Sequence, residues 1–224
     1  MSTKTHFQKI HLFLIPIDPK SSPPFWPLCR EDEDRYCRFR QEPDRRVMVQ
    51  SRFALRNILA ASLNISPLSL VFGREEAGKP KLINPPRELH FSLSHTHKWQ
   101  AIALSFDQEI GIDIENLLRE DVIGDLLTND QSTGKIQLWC AKEAVVKRWG
   151  VGWSIPPSYI KISEDRSCAL LQGQKSRLFS MTLFDHHHVA IAFDKRTKVH
   201  IQYIKHWSEL LESQFSFAQM ARTH

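Results

Sequence analysis

Two short acidic segments carry the residues best suited to chemistry. Gly111-Ile112-Asp113-Ile114-Glu115 and Trp139-Cys140-Ala141-Lys142-Glu143-Ala144-Val145-Val146-Lys147 bring carboxylates and a lysine close together in the chain. Side chains alternate along an extended segment, so Ile110, Ile112 and Ile114 are expected to face a core while Asp113 and Glu115 share the opposite face. On a helix, Glu143 and Lys147 lie four apart and meet on one side. Two oxygen ligands from a strand and a third from a helix are what a hard divalent cation needs, and magnesium completes its octahedron with water and substrate phosphate. A neighbouring lysine suits a departing phosphate. Each segment also has a plainer reading. Asp113 and Glu115 could be the solvated face of a half-buried strand, and Glu143 with Lys147 the commonest kind of helix-surface ion pair.

The wording of these segments separates the readings, because GIDIE followed by WCAKEAVVK resembles the two signature motifs of the 4'-phosphopantetheinyl transferases. A basic helix around Arg45 to Arg56, Gly78-Lys79-Pro80 and Phe91-Ser92-Leu93-Ser94-His95 agree with that family in order and approximate spacing. The resemblance spans nearly the whole chain and is closest to the long, surfactin-synthetase-activating branch. It implies a holo-[acyl-carrier-protein] synthase type of enzyme, which moves the 4'-phosphopantetheine arm of coenzyme A to a serine hydroxyl of an apo acyl or peptidyl carrier protein. Adenosine 3',5'-bisphosphate would be released. Carried over residue by residue, Asp113, Glu115 and Glu143 become magnesium ligands, and Glu143 is also the candidate base for the serine. Lys147 becomes the group that steadies or protonates the leaving phosphate. Ser94 and His95 would contact the phosphates of coenzyme A, Lys79 its nucleotide end and Arg46 its 3'-phosphate. Two departures stand out. Ser92 occupies a position where asparagine is frequent, and a Ser/Thr-x-x-Glu segment is replaced by Thr128-Asn129-Asp130-Gln131, where Asp130 could supply the acid by a one-residue shift.

Composition narrows the setting. The chain has 224 residues, 42% of them hydrophobic, enough for a substantial core. No apolar run reaches the roughly 18 to 20 residues of a membrane span, and Ile10 to Ile17 is too short and interrupted for a signal peptide, so a cytoplasmic protein is expected. Cys29, Cys37, Cys140 and Cys168 lack metal or disulfide spacing. The three histidines His186 to His188 would alternate between faces of a strand, which argues against a metal tract. A net charge of +5 and a pI near 9.1 favour an anionic partner. Two rivals use the same features: a basic nucleic-acid-binding module with structural acidic motifs, and a magnesium-dependent phosphodiesterase. The first lacks any recognised nucleic-acid motif. The expectation is therefore a monomer that binds coenzyme A and a carrier protein, and neither nucleic acid nor membrane.

The elements that must position these residues read as α+β. Ile10 to Ile17 is expected as a strand and 18–27 as a proline-rich connection. Helix should follow over Cys29 to Asn64, in two pieces broken near Pro43. A strand is expected at Ser69 to Phe72, a loop at Glu75 to Pro86, and strands at Leu89 to Leu93, Trp99 to Phe106 and Ile110 to Glu115. A helix near Lys135 to Trp149 and strands near 159–162, 177–184, 188–193 and 199–204 complete the chain, with 215–224 as a tail or terminal helix. The recurring order of elements points to two similar α/β subdomains, 1–107 on the nucleotide side and 108–224 carrying the catalytic motifs. A cleft would lie between them, and the family resemblance implies the same pseudo-dimer.

Overall fold

The computed structural model describes residues 9–18, 20–21, 23, 30–119, 134–183 and 185–211. Asp130, Gln131, Cys29 and the tail from Phe215 lie outside them. In chain order the elements are β1 (Lys9–Pro16), α1 (Arg30–Arg38), α2 (Glu42–Leu63), β2 (Phe72–Arg74), β3 (Pro80–Leu82), β4 (His90–His95), β5 (Trp99–Ser105) and β6 (Gly111–Asn116). They continue with α3 (Lys135–Trp149), β7 (Lys161–Ile162), β8 (Cys168–Leu171), β9 (Gln174–Thr182), β10 (His187–Phe193) and β11 (Lys198–Tyr203). One sheet runs β11-β1-β5-β4 and a second β6-β10-β9-β8-β7, with β2-β3 as a separate ribbon. The chain is thus a mixed α+β protein.

Alternation within β1 shows how the layers form. Ile10, Leu12 and Leu14 pack with Ile112, Ile114, Val189 and Ile191 between the two sheets. Phe13 and Ile15 point the other way, onto Phe53, Leu55, Ile58 and Leu59 of α2. A strand buried on both faces cannot show the alternating polar pattern of a surface strand. On the far side, α3 lays Cys140, Ala141, Ala144 and Val145 against Ala190 and Ala192. The layers are therefore helix, sheet, sheet, helix.

The same connection occurs twice. β1 leads through α2 to the hairpin β4-β5, whose second strand pairs antiparallel with β1. β6 leads through α3 to the hairpin β9-β10, whose second strand pairs antiparallel with β6. Gln108 fixes the turn between the two units, its Oε1 accepting from the amides of Asp194 and Lys195 at 2.9 and 2.7 Å. The chain then returns to the first sheet: β11 pairs parallel with β1, and Trp207 meets Phe53 edge-on at 5.6 Å.

Local departures from the sequence reading have local causes. Pro43 occupies the opening turn of α2, where a missing amide costs nothing, so it begins that helix. Residues 67–69 form a helical turn, with Ser66 Oγ accepting from the Leu68 amide, and the strand begins only at Phe72. The expected loop at 75–86 contains β3, which pairs with β2. Strand β8, four residues long, was not anticipated.

The largest correction concerns the polar face of β6. Asp113 is 2% exposed, because α3 covers the face that the plainer reading left to solvent. Gly111 permits this. A Cβ at that position would collide with the backbone of Ala144 and Arg148, so its lack of a side chain lets the helix seat directly on the strand.

Two outcomes follow from this packing. Gly111→Ala should lower stability by about 1–3 kcal/mol through overpacking, read as a shift in urea midpoint at unchanged slope. The second involves His11, 5% exposed and facing His200, whose pKa falls from 6.5 to about 4 through burial, then His200 and Lys9. The folded state holds it neutral, so its full contribution is present above pH 6.5 and is lost as pH falls towards 4. Relative to wild type, His11→Gln should recover up to about 3 kcal/mol between pH 7 and pH 4 in unfolding titrations.

Candidate active site

Strands β4 and β6 meet where the two sheets adjoin, and two serines bind them together. Ser92 Oγ accepts from the Ile112 amide at 3.1 Å, and Ser94 Oγ donates to Asp113 Oδ1 at 2.8 Å. Both serines are buried and lie two apart, on the same face of β4. A hydroxyl thus does the joining at position 92.

Helix α3 supplies the opposing charge. Lys147 Nζ lies 2.7 Å from Asp113 Oδ1, donates to Ser94 Oγ at 3.1 Å and stands 3.6 Å from Glu143 Oε1. Burial alone would pull the Lys147 pKa down, but Asp113 and then Glu143 outweigh it and hold it above the usual lysine value. The group is a fixed cation. Glu115 moves the other way: burial first, then the Asp113 charge, push it up to about 7. Cys140 beside them is fully buried, and burial and these carboxylates raise its thiol well above the usual range, which removes it as a nucleophile.

An open cavity of about 550 Å³ lies over this cluster. Ser94 and His95 line it from the end of β4, Thr96 and His97 from the β4-β5 turn, Asp113 and Glu115 from β6, and Trp139, Glu143 and Lys147 from α3. Six of the residues singled out in the sequence therefore converge: Ser94, His95, Asp113, Glu115, Glu143 and Lys147. Arg46 and Lys79 do not line this cavity, although Lys79 shares a smaller one of about 210 Å³ with Glu143 and Lys147. Arg46 turns to Glu42 at 3.1 Å, and Arg52, ion-paired with Asp32 at 2.9 Å, is the α2 arginine on the cavity wall. The signal was available in the helical period, since Val47, Met48, Ser51 and Arg52 share one face.

Lys79 is engaged beside the cavity. Its Nζ lies 2.7 Å from Glu109 Oε2 and donates to the carbonyls of Ile110 and Arg148 at 3.4 and 3.3 Å, the latter near the end of α3. Its neighbours Gly78 and Pro80 line the cavity. His90 hydrogen-bonds the same glutamate at 2.9 Å; this bond, with Lys79, holds Glu109 down to about 2 against the effect of burial. Arg74 and Arg119, also unpredicted, complete the basic part of the wall.

Among the described residues, no group of three or more carboxylate, histidine or cysteine side chains is close enough as placed to hold a metal ion. The donor chemistry is nevertheless that of a hard cation site. Asp113 Oδ2 is buried without a hydrogen-bond partner of ordinary geometry, and Glu115, with its raised pKa, shares the cavity with Asp113, Glu143 and Asp44, a strain that a divalent cation would relieve. The histidine tract does not compete. His187 Nδ1 contacts Asp185, while His188 Nδ1 bonds Thr182 Oγ1 at 3.0 Å.

Comparison with known sequences places the chain in a family. Residues 25–107 match the family described as 4'-phosphopantetheinyl transferase, N-terminal. The chain is 30% identical to 4'-phosphopantetheinyl transferase HetI from a Nostoc species over 64% of its length and 70% of the relative's. It is 24% identical to 4'-phosphopantetheinyl transferase gsp from Aneurinibacillus migulanus, covering 66% and 67% of the two chains. Against 4'-phosphopantetheinyl transferase Sfp from Bacillus subtilis the identity is 27%, over 58% and 69%. Among these and other curated relatives, the share of the relative that is matched ranges from 51% to 70%. The chain belongs to the 4'-phosphopantetheinyl transferase family, on the branch that includes Sfp, and is a transferase by that kinship.

The buried pair makes a prediction that a solvated carboxylate would not. Asp113→Ala and Lys147→Met should each lower stability by about 1–3 kcal/mol, and the double variant should fall short of their sum by about 1 kcal/mol. Urea unfolding of the four proteins in the cycle measures that coupling.

Proposed function

We propose that this chain transfers the 4'-phosphopantetheine arm of coenzyme A to a serine of an apo acyl or peptidyl carrier protein. The supporting observation is the convergence of Ser94 and His95 with Asp113, Glu115, Glu143 and Lys147 around one cavity. A phosphodiesterase would need the carboxylates but has no use for a carrier protein. A nucleic-acid module would leave the buried charge cluster unexplained.

In this reading the serine oxygen attacks the phosphorus that carries the pantetheine. A new O–P bond forms, the pyrophosphate bridge breaks, and adenosine 3',5'-bisphosphate departs. Glu143 accepts the serine proton. Lys147, kept protonated by Asp113 and Glu143, offers its charge to the departing phosphate more readily than its proton. His95 and Ser94 hold the phosphates, with Arg52, Arg46 and Lys79 as the candidate cations around the nucleotide. Asp113, Glu115 and Glu143 would hold magnesium, which supplies charge neutralisation at the pyrophosphate. Transfers of this type depend on positioning and charge, and the site offers both without a covalent intermediate.

The two repeated units, 1–107 and 108–224, act in this proposal as a pseudo-dimer with the substrates in the cleft between them, although β11 closes the first sheet from the end of the second unit. The net charge of +5 would draw an acidic carrier domain. Among the described residues no helix is long and apolar enough to cross a membrane, which is compatible with a cytoplasmic monomer.

Incubation with coenzyme A, magnesium and apo acyl or peptidyl carrier proteins should add the mass of the phosphopantetheine arm to at least one carrier. Glu143→Gln should slow the transfer on the order of 100-fold or more while coenzyme A still binds, since general-base assistance contributes about 10²–10⁴-fold. Absence of the added mass on every carrier tried would overturn the proposal.

A further inference from the structure

The cavity wall that carries Ser94 and His95 ends in a tight turn, and that turn is held by a group from the other half of the chain. Within the turn, Thr96 sets the local shape: its amide donates to the Trp99 carbonyl at 2.8 Å, and its Oγ1 accepts from the amides of Lys98 and Trp99 at 3.2 and 3.1 Å. Ser94 ties the strand before the turn to β6 and α3. Beyond Ser94, none of the Thr96 bonds reaches outside the hairpin, and the Trp99 indole does. Its Nε1 donates to Asp185 Oδ2 at 2.6 Å, a contact that joins residues 86 apart in sequence.

Asp185 is itself secured. His187, 1% exposed, places Nδ1 3.0 Å from Asp185 Oδ1 and 3.1 Å from the Asp185 carbonyl oxygen. Both partners are acceptors, so Nδ1 carries the proton and donates to them. The adjacent His186, at φ +64, turns its carbonyl to accept from the Leu117 amide at 2.8 Å, just beyond Glu115. The short 185–187 segment therefore bonds both to the end of the acidic strand and to Trp99, the first residue of β5, across the turn from His95.

We infer that Asp185 is a positioning residue for the coenzyme A side of the reaction, holding His95 at the end of β4 and His97 in the turn that follows it in place beside the acidic strand through the Trp99 indole. This rests on the transferase reading above. A hydrogen bond from an indole to an ionised carboxylate is charge-assisted and directional, and it is partly shielded here. Asp185 lies outside the residues that line the cavity, so it acts through the turn and not on the substrate. The histidine tract, unsuited to metal, thus has a part in building the cavity.

The test compares steady-state transfer by wild type, Trp99→Phe, Asp185→Ala, Asp185→Asn and the double variant Trp99→Phe/Asp185→Ala. Calorimetric titration with coenzyme A and a melting curve accompany each protein. Trp99→Phe and Asp185→Ala should raise KM and Kd for coenzyme A about tenfold, with KM for the carrier unchanged and kcat within about threefold. Asp185→Asn keeps an acceptor for the indole but loses its charge and turns a donor towards His187, so its loss should be smaller than that of Asp185→Ala, and the double variant should be no worse than either single one. Unchanged coenzyme A affinity in Trp99→Phe and Asp185→Ala would overturn the inference, as would equal losses for both substrates accompanied by a fall in melting temperature. If Asp185→Ala does not fold, Trp99→Phe retains the aromatic ring and carries the test alone. If wild type binds coenzyme A but transfers nothing, the transferase reading fails while the calorimetry still decides the tether. If it does not bind coenzyme A, both fall.

Discussion

The contact between the Asp113 carboxylate and the Lys147 ammonium, 2.7 Å long, is the constraint around which the molecule is arranged. It needs β6 and α3 to lie closer than two side chains would ordinarily allow. Gly111 on the strand and Ala144, Ala190 and Ala192 around it provide the room. It also needs β4 alongside, because Ser94 shares the same carboxylate oxygen, and β4 belongs to the other sheet. One buried charge thus specifies how a helix, its own sheet and the neighbouring sheet meet. The apolar layer between the sheets supplies the burial energy, and the polar contact selects the arrangement.

That selection is not made for stability. A buried ion pair repays its own desolvation at best, and hydrophobic replacements of similar volume often do as well or better. The cluster here carries three carboxylates on one cavity, with Glu115 raised to about 7 by burial and by Asp113. Lys147 balances part of that charge and is held protonated by it. An apolar cluster of similar volume in the same place would fold as well. Carboxylates packed this close to one another cost free energy, and perturbed groups of this kind gather more often at functional sites than in a core built for stability alone.

Two further contacts flank this centre, each linking parts of the chain far apart in sequence. On one side Lys79 joins Glu109 to the carbonyls of Ile110 and Arg148, and His90 shares the glutamate. On the other, the Trp99 indole meets Asp185. Both bring the first unit against the second at the ends of β6, one near its start and the other near its finish. The cavity wall is therefore held at both ends by charge-assisted hydrogen bonds, with the apolar layer behind it. A serine in place of the asparagine frequent at position 92 is compatible with this arrangement, since its hydroxyl still reaches the Ile112 amide.

The grouping of the candidate residues was legible in the sequence because it rests on local spacing. Glu143 and Lys147 meet because a helix turns every 3.6 residues, and Ser94 and His95 close a strand whose alternation is visible in Phe91 to His95. The paired order of strand, helix and hairpin was legible for the same reason. The exposure of Asp113 was not, because alternation says which residues share a face but not what covers that face. The covering helix begins more than twenty residues later, and only its seating on Gly111 buries the acid. Likewise, nothing near Lys79 in sequence announces Glu109 or the end of α3, and nothing near Trp99 announces Asp185. The sequence by itself determined which groups could do chemistry and on which elements they stand. The tertiary structure decided which of them share a cavity and which are spent holding it together, because that choice depends on contacts between segments 30 to 86 residues apart.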